Sequence, residues 1–498
     1  MEKLAQKPWT SQMNHERNWP SYGRAHRRML KEHLESSDSR GQSLRRRHKF
    51  FSLEVDRLIA ANIPRFSSVL DVGCGAGHTL GRLSPKLGLG LDLDKYAIAE
   101  AKLTYPEFTF LEGSIEEIDP QALPGDFDFI CAVGLFEQVY DIYEVLDKVK
   151  NLCDPESRVV VVTYSRLWQP LFRLAEWMHL KFAAPNDNWI PLSELRNLAE
   201  QVGLEVVKSQ VAILLPIRIP FISRWVNRWL APLPVLRHLG IVHLTVLRRK
   251  VNHVQCKSVS VVIPARNESG HIQQIIDRMP VFASEQELVF VEGGSSDDTW
   301  DVISAAVLAN DSHARGFSIR CTQQLGVGKG DAVRTGFAIA TGEVFIILDA
   351  DLSVPPEELP RFVSVLASNS AEFVNGSRLV YAMEKGSMQF LNLFGNKFFG
   401  ALFSFLLGQS VRDALCGTKA TSRLNYQRIV ANRGRFGDFD PFGDFDLLFG
   451  AAALNLRIRD EPVHYKARTY GSTNISRFSH GLLLLRMSWF AAKRIRFI

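Results

Sequence analysis

The chain has 498 residues, 46% hydrophobic and 22% charged. These are the proportions of an ordinary globular protein, and they exclude a mostly disordered, collagen-like or disulfide-stapled chain. The net charge of +6 is concentrated at one end: residues 1–50 hold 12 Lys/Arg and 5 Asp/Glu, while the remaining 448 hold 47 and 48. The length fits two or three domains. No run of 18 apolar residues and no apolar N-terminal segment occurs, which argues against a transmembrane helix and a secretory signal. Six cysteines (74, 131, 153, 256, 321 and 416) form no C-x-x-C pair, so neither a zinc ribbon nor a thioredoxin-type site is expected, and a cytoplasmic setting is the default.

The basic leader, residues 1–50, with its cluster Arg45-Arg46-Arg47-His48-Lys49, reads as a solvated, partly disordered head. No nucleic-acid partner is expected. A helix follows over Phe51–Ala61, then an apolar strand, Ser68–Val72, a glycine loop, and strands at Leu87–Leu91, Phe127–Val133 and Arg158–Thr163. Strands alternating with helical patterns imply a mainly parallel sheet. Residues 211–247 are apolar but broken by four prolines, as in a closing strand with an irregular cap. The polar run Arg248–Lys257 reads as a linker, and a new βαβ rhythm starts at Ser258–Ile263. The expected domains are 51–250 and 257–498, each folding alone.

In the first domain, Asp71-Val72-Gly73-Cys74-Gly75-Ala76-Gly77 closes a buried strand. Glycines there allow a tight turn and close approach of backbone to a ligand. A dinucleotide fingerprint requires glycine at position 78, which is His78 here. Asp71 would repel a pyrophosphate and suits an ammonium or sulfonium ligand. Asp92 ends the second strand, where a carboxylate can accept both ribose hydroxyls of an adenosine. Together these residues resemble the class I S-adenosylmethionine-dependent methyltransferases over 51–250. The resemblance implies that Asp71, Gly73 and Gly75 line the methionine end of S-adenosylmethionine, that Asp92 holds the ribose, and that Ser114 and Ile115 lie near the adenine. Ser114 stands where the family usually has an acidic residue, and Glu137-Gln138 where it commonly has Glu-His.

In the second domain, Pro264-Ala265-Arg266-Asn267-Glu268 closes a strand and Glu292 closes the next; Gly328-Lys329-Gly330 follows, and an apolar strand, Val344–Leu348, runs into Asp349-Ala350-Asp351. Residues two apart on extended backbone point to one side, so Asp349 and Asp351 can share one Mg²⁺ or Mn²⁺ that neutralises a diphosphate leaving group. The order resembles the family 2 glycosyltransferases of GT-A fold over 257–498, and within them the polyprenyl-phosphate branch. The resemblance implies that Pro264, Ala265, Glu268, Glu292 and Lys329 bind a UDP- or GDP-sugar, that Arg468 holds its diphosphate and that Arg378 meets an acceptor phosphate. An acidic run at 438–446 departs from that branch. Within it Asp444 is the candidate base for a hydroxyl acceptor, or equally a helix cap.

Two stretches suggest a membrane surface. In 388–407 the polar or small residues Gln389, Asn392, Asn396, Gly400 and Ser404 form one narrow stripe on a Phe/Leu-rich helix, and at the C-terminus Leu482, Leu485, Trp489 and Ala492 face away from Arg486, Lys493 and Arg494. Both patterns suit helices lying in an interface. The expected whole is two Rossmann-like α/β domains, a class I methyltransferase fold followed by a GT-A glycosyltransferase fold. It would be a bifunctional enzyme acting on a lipid-linked or glycan acceptor, peripheral at the inner face of the membrane. The alternatives are an N-terminal dinucleotide oxidoreductase and a membrane adaptor with degenerate domains. The sequence leaves the sugar, both acceptors and the oligomeric state open.

Overall fold

The computed structural model describes residues 19–36, 38–119, 123, 125–178, 188–252, 254–310, 312–382, 390–433, 444–466 and 477–497. Two seven-stranded sheets follow one another along the chain. The first holds β1 (Ser68–Val72), β2 (Leu87–Asp92), β3 (Thr109–Glu112), β4 (Phe129–Val133), β5 (Arg158–Tyr164), β6 (Leu204–Ala212) and β7 (Val242–Arg249). Its order is β3-β2-β1-β4-β5-β7-β6. The first five strands pair in parallel, and β7 runs antiparallel to β5 and β6. Strands such as Arg158–Tyr164, four of whose residues are consecutive valines, are buried on both faces, as a helix-covered parallel sheet requires.

The second sheet holds β8 (Ser258–Ala265), β9 (Glu285–Glu292), β10 (Ser318–Gln323), β11 (Val344–Ile347), β12 (Phe373–Ser377), β13 (Lys419–Ser422) and β14 (Ile458–Pro462). Its order is β10-β9-β8-β11-β13-β12-β14, with β13 antiparallel to β11 and β12. Both halves are thus α/β, as the sequence implies. In each, the first strand lies between its successor and a later strand: β1 between β2 and β4, β8 between β9 and β11. The loops leaving β1 and β8 therefore open onto a crevice at a topological switch point, where ligands of such sheets bind.

Three expectations change. The leader is helical over Trp19–Ser36, and a second helix runs Asp38–Asn62. Gly23, His26 and Leu30, spaced three and four apart, are buried, so this part of the leader docks one face rather than being solvated. His26 Nε2 lies 2.8 Å from the Gln138 carbonyl oxygen, Arg27 pairs with Glu117 at 3.0 Å, and Lys31 pairs with Glu112 at 2.6 Å.

Arg248, read as the start of a free linker, is buried at the end of β7. It donates from Nε to Glu205 at 2.7 Å and from Nη1 to Asn369 at 3.2 Å. With Arg158, which donates from Nη2 to both oxygens of Glu372 at 2.6 and 2.7 Å, it encloses the Glu372 carboxylate. Burial alone would raise the Glu372 carboxyl, but Arg158 and then Arg248 more than offset it and hold that carboxyl below its ordinary value. Nearby, Asn455 donates to the Asn62 carbonyl at 2.7 Å. The halves are joined through a buried polar network, so they are not independent beads on a linker.

Helix Phe390–Leu407 is also a correction. Phe399, Phe403, Leu406 and Leu407 are core, packed with Phe445 and Phe449. The described part of its polar stripe faces protein: Asn396 and Gly400 are buried, and Ser404 donates to Gly400 and Val411 carbonyls at 2.8 Å each, while Gln389 and the Asn392 side chain lie outside the described residues. Among the described residues of this helix, Phe394 and Phe398 are exposed. On the C-terminal helix, Arg477–Ala491, Leu484, Met487 and Ala491 form the buried face, and Leu485 and Trp489 are exposed. Among the described residues no helix is long and apolar enough to cross a membrane.

Candidate functional sites

In the first half, the turn after β1 is built by glycines at φ +78° (Gly73), +53° (Gly75) and +75° (Gly77), a region costly for residues with a Cβ. A Cβ at Gly77 would strike the Phe110 ring, whereas one at Gly75 would project into open space. Gly73 and Cys74 amides donate to the Leu91 carbonyl at 2.8 and 3.1 Å, which fastens the loop to β2. Asp92, at the end of β2, accepts from Gly75 N at 2.7 Å and Asp94 N at 2.8 Å. Its carboxylate is thereby fixed at the mouth of a cavity of about 80 Å³.

Gly73, Asp92, Ser114, Ile115 and Gln138 line that cavity, and the leader helix covers it with His26, Arg27, Leu30 and Leu34. Four of the expected ligand residues are thus brought together. Asp71 and Gly75 are not among the lining residues. Asp71 is fully buried on β1, and neither of its carboxylate oxygens has a hydrogen-bond partner among the described residues. Burial, then Asp56 and Asp92, push its pKa up to about 8. A glycine turn with open space at Gly75 and a fixed carboxylate at Asp92 suit an adenosyl ligand, whereas Asp71, buried off the cavity lining with its pKa raised, is not placed as the expected partner of a cationic centre. No signal in the sequence marks His26, Arg27, Leu30 and Leu34 as part of this site, because they come from a segment whose charge reads as solvated.

In the second half, Ala265 at the end of β8 pairs in register with Glu292 at the end of β9, so the two expected nucleotide residues are neighbours. Glu292 is buried and accepts from the Ser295 amide and from Gln323 Nε2. Pro264 is half-buried on the same strand end. Glu268 is turned inward: one of its oxygens lies 2.8 Å from Nδ1 of the buried His271, and its amide donates to Thr299 Oγ1 at 2.9 Å.

Lys329, the first residue of helix Lys329–Ile339, places Nζ 2.5 Å from Asp349 Oδ1 just beyond β11. Asp351 Oδ1 accepts from Ser353 N at 3.0 Å. Leu352 between them has φ +55°, a conformation that costs a leucine on the order of 1–3 kcal/mol and that gathers at functional sites. Gly417 packs against this pair so closely that a Cβ would overlap both the Asp349 carboxylate and the Lys329 ammonium. β11 ends at Ile347 and residues 350–351 form a turn, so the expected extended arrangement of the two carboxylates is not seen; Asp349 is ion-paired with Lys329, and among the described residues no group of three or more metal-ligating side chains occurs. Asp349 and Asp351 would be the two carboxylates offered to a divalent cation, with its other positions filled by diphosphate oxygens and water.

Arg378 differs from expectation. Its Nε and Nη2 donate to the buried Asp413 at 2.7 and 2.9 Å, and its guanidinium lies over Tyr465. Although burial opposes it, Asp413 raises the pKa of Arg378 above the ordinary value. The structure therefore shows a closed ion pair where an open phosphate receptor was expected. Asp444 is the first residue of helix Asp444–Ala453, and its side chain lies outside the described residues, as does Arg468.

Residues 43–209 match the family described as "Methyltransferase domain", and residues 260–429 match "Glycosyl transferase family 2". Among curated proteins, the undecaprenyl-phosphate 4-deoxy-4-formamido-L-arabinose transferase of Sodalis glossinidius is 39% identical over 116 residues, 22% of this chain and 34% of that protein. The match thus spans about one third of the relative's length. Among solved structures, a TehB-like SAM-dependent methyltransferase from Corynebacterium glutamicum aligns over 39% of this chain and 86% of its own, at 23% identity and a TM-score of 0.27. Glucosyl-3-phosphoglycerate synthase from Mycobacterium tuberculosis aligns over 48% and 80%, at 20% identity and a TM-score of 0.34. The chain thus joins a segment that matches the methyltransferase-domain family, residues 43–209, to one that matches glycosyl transferase family 2, residues 260–429.

Proposed function

We propose that the second domain transfers a sugar from a UDP- or GDP-sugar to a polyprenyl phosphate, and that the first methylates a component of the same pathway using S-adenosylmethionine. The observation that carries the sugar-transfer reading is the Lys329–Asp349 pair with Asp351 beside it, at the carboxyl end of β11 next to the switch point at β8. In that reaction an acceptor oxygen attacks the anomeric carbon, the bond to the diphosphate breaks, and the nucleoside diphosphate leaves with inversion. A divalent cation bound by Asp349 and Asp351 would supply neutralisation of the leaving charge. Lys329 orients Asp349 and adds a positive charge, while Ala265 and Glu292 receive the nucleoside.

The acceptor class draws support from the printed name of the Sodalis relative, an undecaprenyl-phosphate transferase. Contact with a membrane surface draws support from exposed Leu485 and Trp489 beside Arg486, Lys493 and Arg494, and from Phe394 and Phe398 beside Lys397. Such pairing of apolar and basic side chains suits anionic lipid. For a glycan hydroxyl acceptor, Asp444 is the candidate base. In the first domain the glycine loop and Asp92 bind and orient the adenosyl ligand, which brings an activated methyl group, and the leader helix excludes water.

The test is donor turnover with each nucleotide sugar, with and without polyprenyl phosphate. Turnover is expected to need Mg²⁺ or Mn²⁺ and to stop in EDTA. Asp351→Asn should lower kcat roughly 100-fold or more, about 3 kcal/mol of barrier, with little change in Tm. Methyl transfer is expected to survive EDTA, since its leaving group is a neutral thioether. Full sugar transfer in EDTA would sink the metal reading, and turnover indifferent to polyprenyl phosphate would sink the acceptor.

A further inference from the structure

A second cavity, of about 40 Å³, shares no residue with either site. It is lined by Glu54, Arg57, Gln210 and Asn227 of the first half and by Arg496 from the C-terminal end of the second. That volume holds about three water molecules or one tetrahedral oxyanion. Gln210 and Arg496 are 5% and 8% exposed, and Nε2 of the one and Nε of the other have no hydrogen-bond partner among the described residues. Buried donors without acceptors are costly. Asn227 offers no remedy: its Oδ1 accepts from the Leu214 and Leu215 amides at 3.0 and 2.9 Å, and its Nδ2 donates to the Leu215 carbonyl at 2.9 Å.

The charge is equally unbalanced. Two arginines line the cavity against one carboxylate, and Glu54 also lies 3.9 Å from Arg224. Burial lowers the pKa of Arg57; Glu54 opposes this, and Arg228 and Arg224 add to it. Burial and then Arg237 bring Arg496 down to about 10. Water can satisfy a donor but cannot balance these charges, whereas a phosphate group does both.

We propose that this cavity binds a phosphate group, held by Arg57, Gln210 and Arg496, and that the bound group ties the C-terminal segment of the glycosyltransferase half to the methyltransferase half. The phosphate is that of a free solute or of a lipid headgroup. The second source has a specific basis: Phe221, 95% exposed, and the exposed Trp225 flank Arg224 in the chain.

The test uses the full chain. Thermal unfolding is measured in inorganic phosphate and in chloride at equal ionic strength, for the parent, Arg57→Gln and Gln210→Met, an apolar side chain of similar length. A phosphate-specific rise of roughly 1–3 °C at tenfold the dissociation constant is expected in the parent, with most of it lost in each variant that melts cooperatively. Co-sedimentation with phosphatidylcholine vesicles, with and without phosphatidic acid, distinguishes the sources. A several-fold loss of phosphatidic-acid-dependent binding in the variants assigns the group to lipid, and a response in the soluble arm alone assigns it to a free solute. An undiminished phosphate effect in both variants, or no effect in either arm, overturns the proposal. Neither result bears on sugar transfer, which uses other residues.

Discussion

Asp71 is an acid held where charge is costly. Its ordinary pKa of 3.8 rises to about 8 in the fold. Between those values the unfolded chain is ionised and the folded one is protonated, so this residue's contribution to stability falls as pH rises from about 4 to 8 and is flat above. Asp71→Asn, which cannot ionise, is expected to melt higher than the parent at pH 8. That advantage should shrink toward pH 5, by about 2–4 °C for each kcal/mol involved. Equal advantage at both pH values would show that the carboxyl is ionised and partnered. Gly417 presents the opposite case, a residue defined by what it lacks. Gly417→Ala should push the 416–418 segment off the Lys329–Asp349 pair. A displacement near 1 Å can cost on the order of 100-fold in rate, so sugar transfer is expected to collapse while methyl transfer is unchanged. Parent-like kcat in both reactions would contradict the packing.

At the scale of elements, the helix Trp19–Ser36 acts as a cover. Leu30 is buried against the cavity that Asp92 opens into, and Arg27 and Lys31 tether the helix to Glu117 and Glu112. Leu30→Ala should loosen the cover and weaken S-adenosylmethionine binding roughly tenfold, about 1.4 kcal/mol by titration calorimetry, with sugar-nucleotide binding unaffected. Unaltered affinity would make the helix a bystander. The helix Phe390–Leu407 shows why a narrow polar stripe is ambiguous. Periodicity reveals that one face differs, but not whether water or buried carbonyls face it. Here Ser404 donates to Val411 and Gly400 carbonyls and Asn396 is buried, so the described part of the stripe faces the protein.

For the whole molecule, the Arg158–Glu372–Arg248 cluster is the clasp. Removing one partner of a buried pair leaves an uncompensated charge, worth about 3–5 kcal/mol. Glu372→Ala is therefore expected to split chemical unfolding into two transitions, and the separate fragments 51–250 and 257–498 to be less stable than the joined chain. The Glu372 carboxyl is held below its ordinary 4.5. Its contribution is thus complete above that pH and is lost as pH falls through the lower value of the folded state. The parent should undock in acid, and the variant should show no such dependence. A single transition with parent-like midpoint in Glu372→Ala would mean the halves are held by other contacts.

The sequence alone determined those features that depend on neighbours along the chain. The glycine turn after a buried strand, the acid ending the next strand, the paired aspartates after Val344–Leu348 and the alternation of strand and helix are local backbone chemistry, and the α/β character of both halves follows from them; the grouping of Ser114 and Ile115 with Gly73 and Asp92 came from the resemblance to the methyltransferases. Tertiary structure decided the features that depend on partners far apart in sequence. Asp413 closes on Arg378 from 35 residues away, Glu372 on Arg158 from 214, and Gln138 receives His26 from 112. A charge in a sequence looks the same whether it faces water or a buried counter-charge. Only the packing of distant segments turned Arg248 from linker into clasp, and a basic leader into the cover of a cavity.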